Sequence, residues 1–158
     1  MHETGKPPGA EIHLSGKRTL FEMQIIDLFS GIGGFSLAGD WIGWKTVCFC
    51  EIDKFCTKVL NNHWPGVPVF DDIYTLTYEK IKEETDWDEA SPTIIVGGFP
   101  CQPFSNAGKR KGTDDNRYLW PEMLRVIREV EPACIVGENV AGLVNMDDGK
   151  ILCICTSS

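Results

Sequence analysis

The sequence predicts an α/β domain built on a mostly parallel sheet, and three observations carry that prediction. From Gln24 onward, short apolar runs alternate with helix-compatible segments joined by brief connections, the pattern of successive βαβ units. The first run closes in a glycine-rich turn, Ser30-Gly-Ile-Gly-Gly34. The chemically conspicuous residues, Ser30–Gly34, Glu51, Asp72, Pro100–Cys101 and Glu138, all fall where a run ends, which is where ligands gather in parallel sheets.

The elements follow in order. Gln24–Phe29 reads as a strand leading into the glycine turn, and Phe35–Ile42 as a helix with small residues on one side. Lys45–Cys50 is a second β-rich run followed by Glu51. Asp53 is placed to cap a helix through Asn62, with Phe55, Val59 and Leu60 spaced for one face. A third strand, Val67–Phe70, ends at Asp71-Asp72, and the charged stretch Tyr78–Ala90 reads as a solvated helix or loop. Thr93–Val96 is a compact fourth strand running into Gly97-Gly-Phe-Pro-Cys-Gln-Pro-Phe-Ser105. After a polar, basic loop, a helix at about Tyr118–Val130 is stopped by Pro132, and Ala133–Val136 is a fifth strand ahead of Glu138.

Length and composition bound the possibilities. A chain of 158 residues is one ordinary domain or part of a larger one, and at that size roughly 70% of the unfolded surface can be buried. Hydrophobic content of 42% against 24% charged residues describes a globular protein rather than a disordered or collagenous one. No apolar run approaches the roughly 18–20 residues of a spanning helix, and Met1–Met23 lacks the apolar core of a secretory signal. Residues 1–22, rich in turn formers, are expected to be a flexible leader, with Met23 as an alternative start. The net charge of −8 argues, by itself, against a nucleic-acid partner, because phosphate binding rests on basic surface.

There are seven cysteines, an odd number with no Cys-x-x-Cys pair, which argues against a disulfide framework and a zinc ribbon alike; no metal site is expected. Cys48 and Cys134 lie in strand-like runs and are expected to be buried, inert thiols. Cys153 and Cys155 are too close together to argue for a metal. The chain reads as intracellular and reduced. Only Cys101 has surroundings that call for chemistry.

The glycine turn and two acids define one half of a site. Glycines at Gly31, Gly33 and Gly34 allow positive φ and a close approach of ligand to backbone, although Ser36 stands where a third spaced glycine would complete a dinucleotide fingerprint. Glu51, twenty residues after Gly31 at the end of the next strand, suits a ribose diol. Asp72 is placed to accept from an adenine amino group. These residues specify an adenosine-containing cofactor, and a nicotinamide dinucleotide fits them almost as well as any other.

Phe99-Pro-Cys-Gln-Pro-Phe-Ser105 supplies the other half. A thiol in a proline-stiffened loop at the mouth of a cleft is a nucleophile candidate, needing a lowered pKa or a concerted base. Glu138, alone a surface carboxylate or a cap, becomes a general-acid candidate beside such a cysteine.

With these motifs assembled, the chain resembles the DNA (cytosine-5) methyltransferases. Asp27-Leu-Phe-Ser-Gly-Ile-Gly-Gly-Phe35 is similar to the family's first motif, Gly97–Ser105 to its nucleophile motif and Glu138-Asn-Val140 to its catalytic Glu-Asn-Val. Order and spacing agree from about Gln24 to Gly149. The resemblance implies a Rossmann-like fold dependent on S-adenosylmethionine, incomplete here, in which a cytosine is flipped out of double-stranded DNA. It implies that Cys101 attacks C6 of the base while Glu138 protonates or hydrogen-bonds N3. It further implies that Phe29 and Ile52 flank the adenine, that Glu51 holds the ribose and Asp72 with Ile73 the adenine edge, and that Ser30, Gly31, Gly33, Gly34, Pro100 and Leu119 line the cofactor pocket. Gln102, Ser105, Lys109, Arg110 and Lys111, with Arg117, fall in the loop that would close over DNA. A cytoplasmic protein of a bacterium or phage, acting in restriction-modification, is the implied setting.

The resemblance also sets expectations for what is missing. Family members continue past Glu-Asn-Val with an arginine-containing motif, a target recognition region and two closing motifs, none of which is found before Ser158. The expected organisation is a leader (1–22), a partial cofactor-binding and catalytic domain (23–150) and an atypical tail (151–158). On this reading the basic, DNA-gripping portion lies in a second polypeptide. Two alternatives are an inactive remnant or interaction module that keeps the cofactor domain, and a dinucleotide-dependent oxidoreductase with Cys101 as a redox thiol.

Overall fold

The computed structural model describes residues 23–99 and 119–138. Five strands, β1 (Gln24–Leu28), β2 (Lys45–Cys50), β3 (Val69–Phe70), β4 (Thr93–Gly97) and β5 (Cys134–Gly137), form one sheet in the order β3-β2-β1-β4-β5. All four pairings are parallel. The helices are α1 (Gly34–Trp41), α2 (Lys54–His63), α3 (Tyr78–Glu84) and α4 (Trp120–Val130), with a 3₁₀ turn at Ile73–Thr75. This is the parallel α/β arrangement that the alternation of elements predicts and the Rossmann-like fold that the resemblance implies.

The central strands are buried along their whole length, as parallel strands covered on both faces must be. Strand pleating splits their side chains into two cores. Ile26, Leu28, Cys48, Cys50 and Ile95 point to the side where Ile81 of α3 and Met123, Val126 and Val130 of α4 pack. Ile25, Ile94 and Val96 point the other way, toward Phe35 and Trp44. On that face α1 turns its small residues inward, as expected: Ser36 and Gly39 are its buried positions. A Cβ on Gly39 would lie 2.2 Å from Ile25 Cδ1, so the helix approaches β1 closely only because the side chain is absent.

The helix ends follow local chemistry. Asp53 Oδ1 accepts from the N–H groups of Phe55 and Cys56, both at 2.9 Å, capping α2 as its sequence position predicts. Those backbone donors hold the Asp53 carboxyl below the usual carboxylate range. Thr77 caps α3 by accepting from Lys80 N–H. Glu131 adopts a left-handed conformation (φ 49°) after α4, and Pro132 follows it.

Four expectations are corrected. The first strand stops at Leu28, because Phe29 has φ 53° and already belongs to the turn. Phe55 and Leu60 do not share a buried face: Leu60 is fully buried, but Phe55, in the first turn of α2 at the mouth of the sheet, is 71% exposed. The stretch from Tyr78 is no merely solvated segment, since Ile81 is fully buried and Tyr78 meets the edge of Trp87 at 5.6 Å. Cys134 is exposed rather than buried. Its strand pairs only with β4, and no described element covers either of its faces.

One charge is buried at the centre. Asp27 lies on the α1 face of β1, fully buried, with Oδ2 accepting from Ser36 Oγ at 2.7 Å and Oδ1 without a hydrogen-bond partner among the described residues. Desolvation pushes its pKa up to about 7. Because the folded protein then binds a proton that the unfolded chain, near 3.8, releases earlier, the Asp27 contribution is complete below pH 4 and is lost as pH rises through 7. Denaturant titrations at half-unit steps from pH 4 to 8 should show wild type losing about 3–5 kcal/mol relative to Asp27→Asn across that window. Parallel pH profiles would contradict this. Gly33, at φ 86°, has Trp64 Cζ3 2.6 Å and Leu60 Cδ2 2.9 Å from the position of a Cβ. Gly33→Ala should destabilise by about 2–4 kcal/mol and lower the thermal midpoint by roughly 10 °C in a melt followed by circular dichroism.

Candidate functional site

The strands end at one level. Leu28 is in register with both Cys50 and Gly97, Cys50 with Phe70 and Gly97 with Gly137. The residues beyond the strand termini therefore emerge along one edge: Phe29–Gly34 after β1, Glu51 after β2, Asp71-Asp72 after β3, Gly98-Phe99 after β4 and Glu138 after β5. The chain leaves β2 for β3 on one side of β1 and crosses to β4 on the other. The crevice between β1 and β4 is thus the switch point of the sheet, where such folds hold ligands.

The glycine turn is built by backbone geometry. Phe29, Gly31 and Gly33 have positive φ of 53°, 54° and 86°. Gly33 N–H closes the turn on Ser30 carbonyl at 2.9 Å, and Ser30 N–H reaches Cys50 carbonyl on β2 at 3.2 Å. Ser30 Oγ donates back to Asp27 carbonyl.

Glu51 is held on both oxygens. Its Oε2 accepts from Gly31 N–H and its Oε1 from Asp53 N–H, each at 2.7 Å. The carboxylate thereby bridges the turn after β1 and the start of α2. A carboxylate has about four acceptor positions, so each oxygen keeps one for a further donor, such as a hydroxyl of a vicinal diol. Beside it Ile52 is 80% exposed, and Ile32 and Phe55 also present apolar surface to solvent.

Asp72 caps the 3₁₀ turn, with Oδ1 accepting from Tyr74 N–H at 2.9 Å. Ile73 is buried in the core, so any contact it makes with a ligand in the crevice runs through its backbone. Leu119 occupies the N-cap position of α4 and is partly buried against the main core. The Phe99 ring packs on Trp120 with centroids 5.0 Å apart, tying the segment after β4 to the start of α4.

Glu138 N–H donates to Gly97 carbonyl at 3.0 Å. Its carboxylate lies over Gly98, with Oε2 3.1 Å from where a Cβ of that residue would sit. A side chain at position 98 would press on the carboxylate, three residues before Cys101. Pro100, Cys101, Gln102, Ser105, Lys109, Arg110 and Lys111 lie outside the described residues. Of the expected site, then, the glycine turn, Glu51, Ile52, Asp72, Ile73, Leu119 and Glu138 come to one edge of the sheet. Gly98 and Asp27, the latter beneath the glycine turn, were not singled out from sequence. Only the tight strand contacts identify the first, and only the burial identifies the second. Among the described residues no His, Cys, Asp and Glu cluster suits a metal ion, and no helix is long and apolar enough to cross a membrane.

The chain is similar to known proteins. M.AquIA, a Type II methyltransferase of Picosynechococcus sp., is 41% identical over 133 residues, covering 83% of this chain and 54% of that protein. M.PspPI, a Type II methyltransferase of Psychrobacter sp., is 38% identical over 133 residues, covering 83% of this chain and 30% of that protein. The chain therefore spans about half, or less, of the length of these relatives. Among solved structures, DNMT2 of Spodoptera frugiperda superimposes with a TM-score of 0.61 at 26% identity, over 83% of this chain and 39% of that one. Residues 23–158 match the family model of the C-5 cytosine-specific DNA methylases. From Met23 onward, motif order, sheet order and relatives agree: the chain belongs to the C-5 cytosine-specific DNA methylase family.

Proposed function

We propose that this chain is the cofactor-binding and nucleophile-bearing part of an enzyme that methylates C5 of cytosine in double-stranded DNA, with S-adenosylmethionine as donor. The observation that carries the proposal is the meeting of the Glu51 carboxylate, fixed by Gly31 N–H, and the Glu138 carboxylate over Gly98 on one strand-end edge. The donor fits this edge better than a dinucleotide does. Glu51, Asp53, Asp71, Asp72 and Glu138 all lie along it, a negative field that favours a sulfonium and opposes a pyrophosphate. Membership of the family removes the oxidoreductase alternative.

When bound, S-adenosylmethionine supplies an electrophilic methyl group. The chain's residues do the rest. Glu51 would accept from the ribose hydroxyls, Asp72 and the Ile73 backbone would meet the adenine edge, and Phe29, Ile52, Leu119 and Pro100 would line the pocket. Cys101, as thiolate, adds to C6 of a flipped cytosine while Glu138 donates a proton or hydrogen bond to N3. This puts electron density on C5, where the methyl group would be accepted as its bond to the donor sulfur breaks and the donor leaves as the neutral thioether. Loss of the C5 proton then re-forms the double bond and expels Cys101. Gln102, Ser105, Lys109, Arg110 and Lys111 contact the DNA, the basic residues through phosphates.

DNA selection is assigned to a part beyond this stretch, on another segment or a second polypeptide. Support comes from the chain's short span of its relatives and from β5, whose outer edge and faces are uncovered among the described residues. The alternative is an inactive remnant that keeps the cofactor fold.

Trapping on a 5-fluorocytosine duplex separates the two. With S-adenosylmethionine and a polypeptide supplying the remaining part, a covalent adduct should form and be lost in Cys101→Ala. The 158-residue chain alone should show little or no methyl transfer. Absence of adduct under both conditions would favour the remnant, and measurable transfer by the chain alone would refute the division of labour. In calorimetry, Glu51→Ala should weaken S-adenosylmethionine binding by about 10–100-fold, from loss of charge-assisted hydrogen bonds. Cys101→Ala should leave that binding within about twofold of wild type.

A further inference from the structure

Arg125, in the middle of α4, reaches four acceptors on two separate segments. Nη2 donates to Ile73 carbonyl at 2.7 Å, and Nη1 donates to Leu76 carbonyl at 2.9 Å. On its own helix, Nε donates to Glu122 Oε2 and Nη1 to Glu129 Oε1, both at 2.9 Å. The other Glu129 oxygen, Oε2, accepts from Tyr78 N–H at 3.1 Å. Residues 73, 76 and 78 are thus tied to one helix by a single guanidinium and its carboxylate partner.

These ties lie directly behind Asp72. The turn it caps is only three residues long, too short to hold its shape by its own hydrogen bonds. The helix that holds it carries Leu119, one of the described residues assigned to the pocket, at its N-cap. A planar, five-donor fork can serve two carbonyls and two carboxylates at once, whereas an ammonium cannot reach all four from one point.

We propose that Arg125 is a positioning residue for the adenine subsite, setting the distance between the Asp72–Ile73 turn and the Leu119 end of α4. This rests on the reading of that turn as the adenine edge. Arg125 itself touches no cofactor. Its effect is to fix the turn so that recognition of the exocyclic amino group needs no reorganisation on binding.

The test compares the full chain with Arg125→Met and Arg125→Lys in two measurements. In hydrogen exchange without ligand, Arg125→Met should accelerate the amides of residues 73–78 at least tenfold while leaving β1 and β4 unchanged. In calorimetry, wild type should prefer S-adenosylhomocysteine over S-inosylhomocysteine, which lacks the amino group. Arg125→Met should lose about tenfold of that preference, and Arg125→Lys should recover part of it. A merely structural role would weaken both ligands equally, and unchanged preference, or exchange spreading into β1 and β4, would overturn the proposal. If wild type binds neither ligand, the cofactor reading itself fails, and the proposal with it. If wild type binds both and the variants discriminate as it does, only the role of Arg125 fails.

Discussion

The edge of the sheet depends on how closely β4 lies against β1. A Cβ on Gly97 would sit 2.6 Å from the Leu28 carbonyl oxygen, well inside contact distance, and the neighbour is backbone that cannot swing aside. With glycine there, the two strand ends draw level, and the residues beyond them face each other across the switch crevice. Gly98 then extends the same licence outward, leaving room for the Glu138 carboxylate. Two successive glycines thus set first the sheet and then the site edge, and their place immediately before Phe99-Pro-Cys101 links strand packing to the stretch that bears the proposed nucleophile.

Two carboxylates near the glycine turn illustrate how burial divides labour. Asp27 and Glu51 both reach hydroxyl or amide donors around residues 30–36. Asp27 lies inside the fold with one oxygen unpartnered among the described residues, and desolvation favours its neutral form. Glu51 lies at the surface of the crevice, with a backbone N–H on each oxygen. The first ties β1 to α1 through Ser36 and shapes the turn from below. The second holds the turn from above and keeps acceptor capacity for a ligand. A mutation at either position disturbs the same loop, but only the second would remove a group that faces the crevice.

Much of the architecture was legible in the order of residues because its causes are local. Apolar runs bounded by glycine, proline and acids mark the strands, Asp53 marks the start of α2, and Pro132 marks the end of α4. The sheet order was not legible, since nothing in an isolated run says which neighbour it will choose. The exposure of Cys134 was also hidden, because a strand left uncovered among the described residues carries the same apolar letters as a central one. Phe55 misled for a related reason. Helical spacing identifies a stripe, but at the first turn of α2 the stripe has run past the core and meets solvent. At the site, the glycine turn and Glu51 announce themselves by type and spacing. Arg125 does not, because an arginine flanked by glutamates at i−3 and i+4 also describes an ordinary solvated helix.

The net charge of −8 looked like an argument against DNA, and the fold shows why that inference from a total is weak. Five of the acidic residues, Glu51, Asp53, Asp71, Asp72 and Glu138, lie just beyond the strand ends. There, negative charge suits hydroxyl, amine and sulfonium groups rather than phosphates. The basic run Lys109-Arg-Lys111 belongs to a separate stretch between β4 and α4. A protein that binds a cationic donor on one surface and a polyanion on another must keep the two fields apart, since a uniformly basic chain would repel the donor. Over the Debye length of about 8 Å at physiological salt, two such surfaces would act separately on their ligands. A total charge does not separate the two.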